Sequence, residues 1–449
     1  MIKKSIFVNI LLLCLFLAQF SFGFLDEKQI LKITDKIKPS IVYIDVLAKI
    51  PSFKGEEKGT VFQKNGVIIS STGYILTSFI SDKIVTYIKA IINNKEYPAK
   101  LIGNDTVTRI AVLKIKSKEI LIPVNFSQKN PQPGEWLIGV YCSNEEQQYR
   151  KFFFHCLVGG IIPSGLSDKL FLGVVPSADG LFLVNTKSEI SCMMLPFFNY
   201  SVDLLENDEA KLSKQLNLMN ASVSPVSTVP IIEAANRIIK EQKSLKMSWI
   251  GIQLKKLTKQ QAEGFNIPHK GVLITRVFKD SPAEKAGLKA NDVIIEIKNK
   301  EIIEDESGMN LLIDLIRSHT PDTEMKIKII RNAKIKEISI TPIEFPEKRQ
   351  SRSSLLGITV QEIDDMVYSG LNLFTDKGVI VIDVEPGTYA FNSDIKTSDL
   401  IVGIQNTEIK NIDDWQKKLN EIQENKVKNI LLRIYRGNKT LFRVIKNEE

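Results

Sequence analysis

Cysteine and histidine are scarce in this chain: its 449 residues include four cysteines and three histidines. Cys14 lies in an apolar N-terminal segment that we expect to be removed, and the remaining odd number cannot form a complete disulfide framework. We expect Cys142, Cys156 and Cys192 to be buried free thiols, with a Cys142–Cys156 bridge as the alternative. Their spacing is not that of zinc ligands. The composition therefore predicts neither a metal site nor a cofactor.

Long apolar runs are lacking after the N-terminus. Two lysines precede the apolar run 6–18, and Ser21 and Gly23 then supply small residues where a signal peptidase would cleave. This pattern predicts a secretory signal peptide over residues 1–23. The mature protein would then be periplasmic or secreted. An uncleaved membrane anchor is the alternative, although the run is short for a membrane span.

No stretch of the chain concentrates positive charge. The formal net charge is +8, but lysine and glutamate are mixed along the whole sequence, without an arginine-rich stripe or interleaved aromatic residues. A nucleic-acid-binding surface would require such clustering. We therefore interpret the lysines as a solvated surface and expect no nucleic acid partner.

Short runs of β-branched residues, broken by turn signals, fill the first half of the chain. Strands spaced this closely predict a β-barrel or β-sandwich. The predicted strands are Ile41–Val46, Gly66–Ile69, Tyr74–Thr77, Val85–Ile92, Ala99–Ile102, Ile110–Ile115, Trp136–Tyr141, Phe152–Ile162, Leu170–Val175 and Leu181–Val184. Apolar periodicity predicts helices over Glu27–Lys38 and Ile231–Lys243, and a polar pattern predicts another over Tyr200–Leu218.

The second half of the chain is an internal duplication. Trp249–Ile252 parallels Leu355–Ile358, Lys270–Ile274 parallels Lys377–Val381, and Asn291–Ile294 parallels Ser398–Ile401. Matches in the same order and at similar spacing indicate two copies of one domain. The charged segment Phe345–Ser354 is predicted to be the linker between them.

Several of these segments carry a family resemblance. Gly73–Thr77, Ile110–Ile115 and Ser177–Asn185 resemble the strands that present the catalytic residues of the HtrA/DegP family, and Asp280–Leu288 resembles a PDZ motif of the same family. These secreted serine proteases combine a chymotrypsin-like double β-barrel with one or two PDZ domains. The resemblance implies a mainly β chain, divided as follows: signal peptide 1–23, trypsin-like domain 24–246, PDZ domain 247–345, linker 346–354 and second PDZ domain 355–449.

The resemblance also implies that the catalytic residues have been replaced. The positions of the catalytic His, Asp and Ser hold Ile80, Arg109 and Asp179. A serine nucleophile needs an imidazole base, which in turn needs an orienting carboxylate, and loss of one member costs several orders of magnitude in rate. Ser177 would still lack a base. Arg109 and Asp179 could form an ion pair, although separate solvated side chains are the expectation.

The resemblance assigns peptide binding to one loop in each PDZ copy. A PDZ domain adds an extended peptide to a sheet edge and holds its terminal carboxylate with backbone amides of a glycine-containing loop. The candidate loop residues are Trp249, Ile250, Gly251 and Ile252 in the first copy, and Leu355, Leu356, Gly357 and Ile358 in the second.

These observations predict a pseudoprotease that binds protein C-termini or unfolded segments, as a scaffold, chaperone or regulator. Its partners would include unfolded polypeptides and an active homologous protease, and family members suggest a homo-trimer. An active serine endopeptidase and a structural envelope assembly protein are the alternatives.

Overall fold

The first sheet forms a closed barrel preceded by a helix. In this computed structural model the described residues are 26–51, 57–82, 85–162, 165–166, 169–172, 180–196, 223–346, 349–363, 375–385, 387–437 and 439–446. Helix α1 (Glu27–Ile37) begins with a capping box, in which the Gln29 N–H donates to the Asp26 carboxylate at 2.7 Å. The barrel strands are β1 (Ile41–Pro51), β2 (Glu57–Ile68), β3 (Tyr74–Ser78), β4 (Val85–Ile92), β5 (Lys95–Asp105) and β6 (Ile110–Ile115).

A second antiparallel sheet follows and returns on itself. Its strands are β7 (Asn125–Phe126), β8 (Trp136–Cys142), β9 (Lys151–Ile162), β10 (Lys169–Leu172), β11 (Phe182–Val184), β12 (Glu189–Pro196) and β13 (Val223–Ser227). Their order is β11-β8-β9-β10-β13-β12-β7, and β11 also pairs with β12. That extra pairing closes a ring of strands, so the mainly β, double-barrel prediction is confirmed.

The two barrels, each with its own apolar cluster, also share a third one. Helix α2 (Val229–Glu241) closes it, because Ile231 and Ile238 are fully buried in the same cluster as Val67 of the first barrel and Phe182 of the second. The three cysteines Cys142, Cys156 and Cys192 are buried and unbridged, as predicted. Burial raises the pKa of the Cys142 thiol to about 11, so this thiol stays protonated at neutral pH.

Residues 248–344 form the first repeat. Its elements are β14 (Ser248–Trp249), β15 (Ile252–Lys256), α3 (Lys259–Gly264), β16 (Val272–Val277), α4 (Pro282–Lys285), β17 (Val293–Ile297), β18 (Lys300–Glu301), α5 (Glu306–Arg317), β19 (Met325–Arg331), β20 (Lys334–Ile340) and β21 (Ile343–Glu344). The main sheet has the order β15-β16-β17-β19-β20, while β14 pairs with β21. Strand β15 is therefore an edge strand of the described sheet.

Residues 350–446 form the second repeat. Its elements are β22 (Gln350–Ser353), β23 (Ile358–Glu362), β24 (Val379–Val384), α6 (Tyr389–Asn392), β25 (Leu400–Ile404), β26 (Thr407–Glu408), α7 (Ile412–Glu424), β27 (Asn429–Arg436) and β28 (Lys439–Lys446). The sheet order is β22-β23-β24-β25-β27-β28. The predicted linker 346–354 therefore needs correction: it connects the repeats, but Gln350–Ser353 is a strand of the second sheet.

Each repeat also contains, at the same place, an ion pair between a buried aspartate and a partly exposed arginine. In the first repeat Arg331 donates to both carboxylate oxygens of Asp292, each at 2.6 Å. In the second, Arg436 does the same to Asp399, at 2.7 and 2.8 Å. The duplication aligned Asp292 with Asp399, but it gave no indication that either aspartate pairs with an arginine.

Most predicted elements lie where the periodicity placed them. Strands β4 and β6 match their predicted ranges, and helices α1 and α2 lie within about two residues of theirs. The helix predicted over Tyr200–Leu218 lies outside the described residues. Among the described residues, no helix is long and apolar enough to cross a membrane.

Candidate functional site

Two glycine loops of the same shape precede β15 and β23. The φ angle is +83° at Gly251 and +74° at Gly357, in the region that side chains rarely adopt. A Cβ atom on Gly251 would lie 2.2 Å from the Cβ of Ser281, and one on Gly357 would lie 2.3 Å from the Cβ of Thr388. Both positions therefore require glycine, for conformation and for space.

Hydrogen bonds fix the orientation of the first loop. The Phe278 N–H donates to the Gly251 carbonyl at 3.0 Å, and the Ala283 N–H donates to the Ile250 carbonyl at 2.8 Å. A trans peptide directs each carbonyl opposite to the next N–H. Because the Ile250 carbonyl is turned into the domain, the Gly251 amide is turned outward. An outward backbone amide in a glycine loop is suited to bind an anion such as a carboxylate.

The second loop repeats these bonds. The Glu385 N–H donates to the Gly357 carbonyl at 2.9 Å, and the Ala390 N–H donates to the Leu356 carbonyl at 3.1 Å. The Gly357 amide is therefore also turned outward. The two loops thus match in these carbonyl hydrogen bonds as well as in sequence.

The structure places the predicted residues of each loop next to one another, but their side chains pack into the domain rather than facing a ligand. Ile250 is 1% exposed and Leu356 is 0% exposed, so both anchor their loops in the domain cores. Trp249 stacks on Phe278 with ring centroids 6.2 Å apart. Ile252 and Leu355 are half-buried, and Ile358 is buried. A ligand carboxylate would therefore contact the backbone of the loop rather than these side chains.

Sequence reasoning missed the residues that hold the loops in place. Ser281 and Thr388 are the N-caps of the short helices α4 and α6, and their side chains accept the N–H groups of Glu284 and Phe391. These caps lie against the loop glycines. A Ser or Thr just before a short helix was the available signal.

Comparisons with known proteins agree with this geometry. Residues 248–341 and 354–445 each match the PDZ domain family. A "Probable periplasmic serine endoprotease DegP-like" from Chlamydia pneumoniae is 27% identical over 418 residues, covering 89% of this chain and 78% of the relative. The protein of the same description from Marinomonas sp. is 27% identical over 372 residues, covering 80% and 74%. The chain is HtrA/DegP-like.

Solved structures of this family share the fold. "HtrA-type protease AlgW with tripeptide" superposes with a TM-score of 0.54 at 18% identity, covering 71% of this chain and 97% of that one. "HtrA-type protease AlgW with decapeptide" has a TM-score of 0.51 at 18% identity, covering 70% and 98%. At this identity the similarity concerns the fold alone. The two repeats are PDZ domains, called PDZ1 and PDZ2 below.

Ile80, the residue predicted to stand at the position of the catalytic histidine, lies in the core of the first barrel. The side chain of Ile80 is 2% exposed and packs in the apolar cluster inside that barrel. Its backbone is held on both sides by Asn104, whose amide accepts the Ile80 N–H at 3.2 Å and donates to the Ile80 carbonyl at 2.8 Å. Ile80 therefore has a structural role in the first barrel.

Arg109, predicted to stand at the position of the catalytic aspartate, is held in a tight turn. Its φ angle is +61°, and its carbonyl accepts the Phe79 N–H at 2.8 Å. Burial lowers the pKa of Arg109, and the nearby Asp314 carboxylate of PDZ1 partly offsets this. Asp179 lies outside the described residues, and so does the Arg109–Asp179 pair. In the described part of the chain the charge facing Arg109 is Asp314.

Asp105, the carboxylate nearest in sequence to Arg109, has a structural role. Asp105 is 5% exposed and accepts the Thr108 N–H at 3.1 Å and the Thr108 hydroxyl at 2.5 Å. These bonds close the turn before β6. Asp105 is therefore engaged as a turn-capping residue.

The three imidazoles lie on the second barrel and on PDZ1. His155 is exposed on β9, edge-on to Trp136. The Nε2 atom of His269 is 2.7 Å from the Leu257 carbonyl, and that of His319 is hydrogen-bonded to Thr323. Among the described residues, none of the three is hydrogen-bonded to a serine or cysteine side chain.

PDZ1 is fastened to the barrels by polar contacts. Arg237 of α2 donates to the Ser318 carbonyl at 2.9 Å, just after α5. Asp314 of α5 accepts the Leu166 N–H from the second barrel at 3.0 Å. Burial raises the pKa of Asp314, while the hydrogen bond from Leu166 and the charges of Arg317 and Arg109 lower it. Asp314 thus takes part in a contact between domains, and its charge also acts on Arg109.

A lysine near this contact gives a pH-dependent prediction. Burial lowers the pKa of Lys298 to about 8 from its usual 10.5, and Arg237 and Lys300 add to the effect. The folded chain therefore binds fewer protons than the unfolded chain between about pH 8 and 10.5, so this group makes the free energy of unfolding rise across that window. Lys298→Met should stabilise PDZ1 by about 1 kcal/mol at pH 7, since the amine is only half buried.

Urea denaturation at pH 7 and pH 10, followed by the fluorescence of Trp249 in a chain with Trp136→Phe and Trp415→Phe, measures this effect. The stabilisation by Lys298→Met should largely vanish at pH 10, where the wild-type amine is neutral. Lys300→Met, on the same hairpin but exposed, is the matched control. Equal stabilisation by Lys298→Met at both pH values would contradict the assignment.

Proposed function

We propose that this chain is an exported HtrA/DegP-like protein that has lost peptidase activity and binds the C-termini or unfolded segments of other proteins through PDZ1. The observation that carries the proposal is the Gly251 loop at the start of the edge strand β15. Among the described residues, no hydrogen-bond partner is found for the amides of Ile250 and Gly251. A peptide carboxylate would supply one.

The groove beside this loop also favours a peptide. Helix α5 packs against β14 and β15, and its residues Leu312 and Ile316 are buried while Met309 and Ile313 are half-buried. An extended peptide could pair its backbone with β15 and place its side chains on this apolar helix face. The two HtrA-type structures with bound peptides, which share the fold, are consistent with this use.

The loss of peptidase activity is supported by the residues at two catalytic positions. Ile80 cannot accept a proton, and its side chain is enclosed in the barrel core. Arg109 carries the charge opposite to that of the carboxylate which orients a catalytic imidazole. The relatives are named serine endoproteases, so an active endopeptidase is the competing function.

The names of the relatives place them in the periplasm, and we propose the same compartment for this chain, reached with the signal peptide 1–23. There it would act as a scaffold, as a chaperone or as a regulator of an active homologue, and a homo-trimer would be its assembly. A purely structural role in the envelope would need no ligand at the Gly251 loop.

Two assays on the purified mature chain test the proposal. Denatured casein should remain uncut, with and without Ser177→Ala and Asp179→Ala. A pool of fluorescent decapeptides with free C-terminal carboxylates should bind, and the same pool with amidated C-termini should bind at least about 10-fold more weakly, because the charged hydrogen bonds at the loop are lost. Casein cleavage that Asp179→Ala abolishes would contradict the loss of activity. Equal binding of both pools would contradict carboxylate recognition.

A further inference from the structure

The peptide edge of PDZ2 is already occupied by the chain itself. Strand β22 pairs antiparallel with β23 along four residue pairs, from Gln350 opposite Gln361 to Ser353 opposite Ile358. In PDZ1 the equivalent strand, β15, has no such neighbour in the described sheet. Helix α7 packs against both β22 and β23. Strand β22 therefore lies between the helix and the strand that form the peptide groove of a PDZ domain.

The direction of β22 is that of a ligand. A peptide whose carboxylate sits in the loop before β23 must run antiparallel to β23, with its last residue beside the loop. Strand β22 does this, because its last residue, Ser353, pairs with Ile358, the first residue of β23.

Ser353 also occupies the position of the carboxylate. Its carbonyl accepts the Gly357 N–H at 2.8 Å, and its hydroxyl accepts the Leu356 N–H at 3.2 Å. These are the two amides whose counterparts in PDZ1, on Ile250 and Gly251, have no partner among the described residues. The two oxygens of Ser353 stand where the two oxygens of a terminal carboxylate would bind.

The same stretch of PDZ1 takes another path. The residue that corresponds to Ser353 is Met247, whose carbonyl accepts the Phe345 N–H at 2.8 Å. The following residues form β14, which pairs with β21 rather than with β15. The duplicated sequence thus provides an internal comparison. In PDZ1 this segment runs away from the groove, and in PDZ2 it lies in the groove.

A cavity lies between β22 and helix α7. The inward residues of β22, Ser351 and Ser353, are small and buried, and the cavity, of about 300 Å³, is lined by these serines, Leu355, Gln416, Leu419 and Asn420. Counted back from the ends of the two helices, Ser318 and Asn425, the polar residues Gln416 and Asn420 stand where PDZ1 has the apolar Met309 and Ile313. The groove of PDZ2 suits a short polar segment such as β22.

Ion pairs hold β22 at both ends. Arg349 contacts Glu362 at 3.2 Å and also pairs with Asp413 at the start of α7. Arg352 pairs with Glu385, next to the glycine loop. Partly exposed pairs of this kind are individually weak, so the strand is retained mainly by its pairing with β23.

We propose that β22 is a built-in occupant of the peptide site of PDZ2, so that the chain offers one open peptide site, on PDZ1, rather than two. This inference rests on the proposed function, since it assumes that PDZ1 captures peptides. It restricts that capture to one copy of the duplication.

Hydrogen exchange on the full mature chain tests the docking without any ligand. The amides of Leu356 and Gly357 should exchange about 100-fold more slowly than those of Ile250 and Gly251, because only the former are hydrogen-bonded. Equal exchange in the two loops would overturn the proposal.

Peptide stoichiometry tests the occupancy. The intact chain should bind one fluorescent carboxylate decapeptide per chain. Ser351→Pro with Arg352→Pro, which removes ladder donors from β22, should raise this to two. Ser351→Thr with Arg352→Lys, which keeps the strand, should bind one. Two peptides on the intact chain, or one on the proline variant after its Leu356 and Gly357 amides have become fast to exchange, would overturn the proposal.

The failure of the proposed function gives a different result. In that case no variant binds the decapeptides, while the exchange comparison still decides whether β22 is docked.

Discussion

Gly251→Ala is expected to weaken binding of carboxylate decapeptides by about 10- to 100-fold, whereas Gly357→Ala leaves it unchanged. The two glycines have the same φ region and nearly the same contact distance to a neighbouring side chain: a Cβ would lie 2.2 Å from Ser281 in PDZ1 and 2.3 Å from Thr388 in PDZ2. Each substitution should therefore strain its own loop to the same extent. Only the loop that binds a ligand can lose affinity.

The size of the expected loss of affinity follows from the hydrogen bonds between the loop amides and the carboxylate. An added methyl group at Gly251 must displace the loop or Ser281, and the displaced amides no longer converge on one carboxylate. Hydrogen bonds to a charged group contribute about 1.5–3 kcal/mol, and each 1.4 kcal/mol is about a factor of ten in affinity. Fluorescence anisotropy with the decapeptide pool measures the change.

A third glycine separates backbone strain from the loop itself. Gly287 of PDZ1 has a φ angle of +79°, but a Cβ there would have no atom within 4 Å. Gly287→Ala should therefore cost about 1 kcal/mol of stability from the backbone alone without changing peptide affinity. If Gly287→Ala or Gly357→Ala weakened binding as much as Gly251→Ala, the assignment of the ligand to the PDZ1 loop would be wrong.

The sequence was sufficient to predict the elements whose pattern is local. Strands such as Ile110–Ile115 follow from β-branched runs, and helix α1 follows from its apolar spacing and the cap Asp26. The two glycine loops could be found because the duplication placed Gly251 and Gly357 at matching points. A positive φ angle at both positions was also predictable, because glycine is the residue that adopts such angles readily.

Pairings between distant segments could not be predicted. The charged composition of residues 346–354 is that of a linker, and nothing local distinguishes a linker from an edge strand that docks on its own domain. The electrostatic interaction of Arg109 with Asp314 joins residues far apart in sequence. For Asp179, which lies outside the described residues, the sequence prediction remains a prediction.

Asp399→Asn is expected to destabilise PDZ2 by about 3 kcal/mol, comparable with the largest effects of single substitutions away from the core. The Asp399 side chain is 0% exposed and accepts two hydrogen bonds from Arg436 and one from the Lys396 N–H at 2.9 Å. Asparagine keeps the shape but turns one acceptor into an NH2 donor. That donor would face either the guanidinium or the backbone N–H, so one buried hydrogen bond would be lost and another opposed.

The chain allows this loss to be measured in one domain at a time. It has three tryptophans, and they are distributed as Trp136 in the second barrel, Trp249 in PDZ1 and Trp415 in the core of PDZ2. In a chain with Trp136→Phe and Trp249→Phe, the fluorescence of Trp415 reports the urea unfolding of PDZ2 alone. Asp399→Asn should lower the midpoint of that transition with little change in its slope.

An exposed ion pair serves as the control for Asp399→Asn, and a double-mutant cycle measures the interaction of Asp399 with Arg436. Glu337→Gln in PDZ1 is followed by the fluorescence of Trp249, in a chain with Trp136→Phe and Trp415→Phe. It breaks the Lys326–Glu337 pair at 3.0 Å, in which both side chains are about half exposed, and should cost less than about 1 kcal/mol. Combining Asp399→Asn with Arg436→Gln should cost less than the sum of the two single changes, because both single changes break the same Asp399–Arg436 pair. Arg436 keeps its second partner, Asp394, in the Asp399→Asn variant. The equivalent Asp292→Asn should act on PDZ1 in the same way. Strict additivity, or a loss no larger than that of Glu337→Gln, would show that this buried pair does not hold the PDZ fold together.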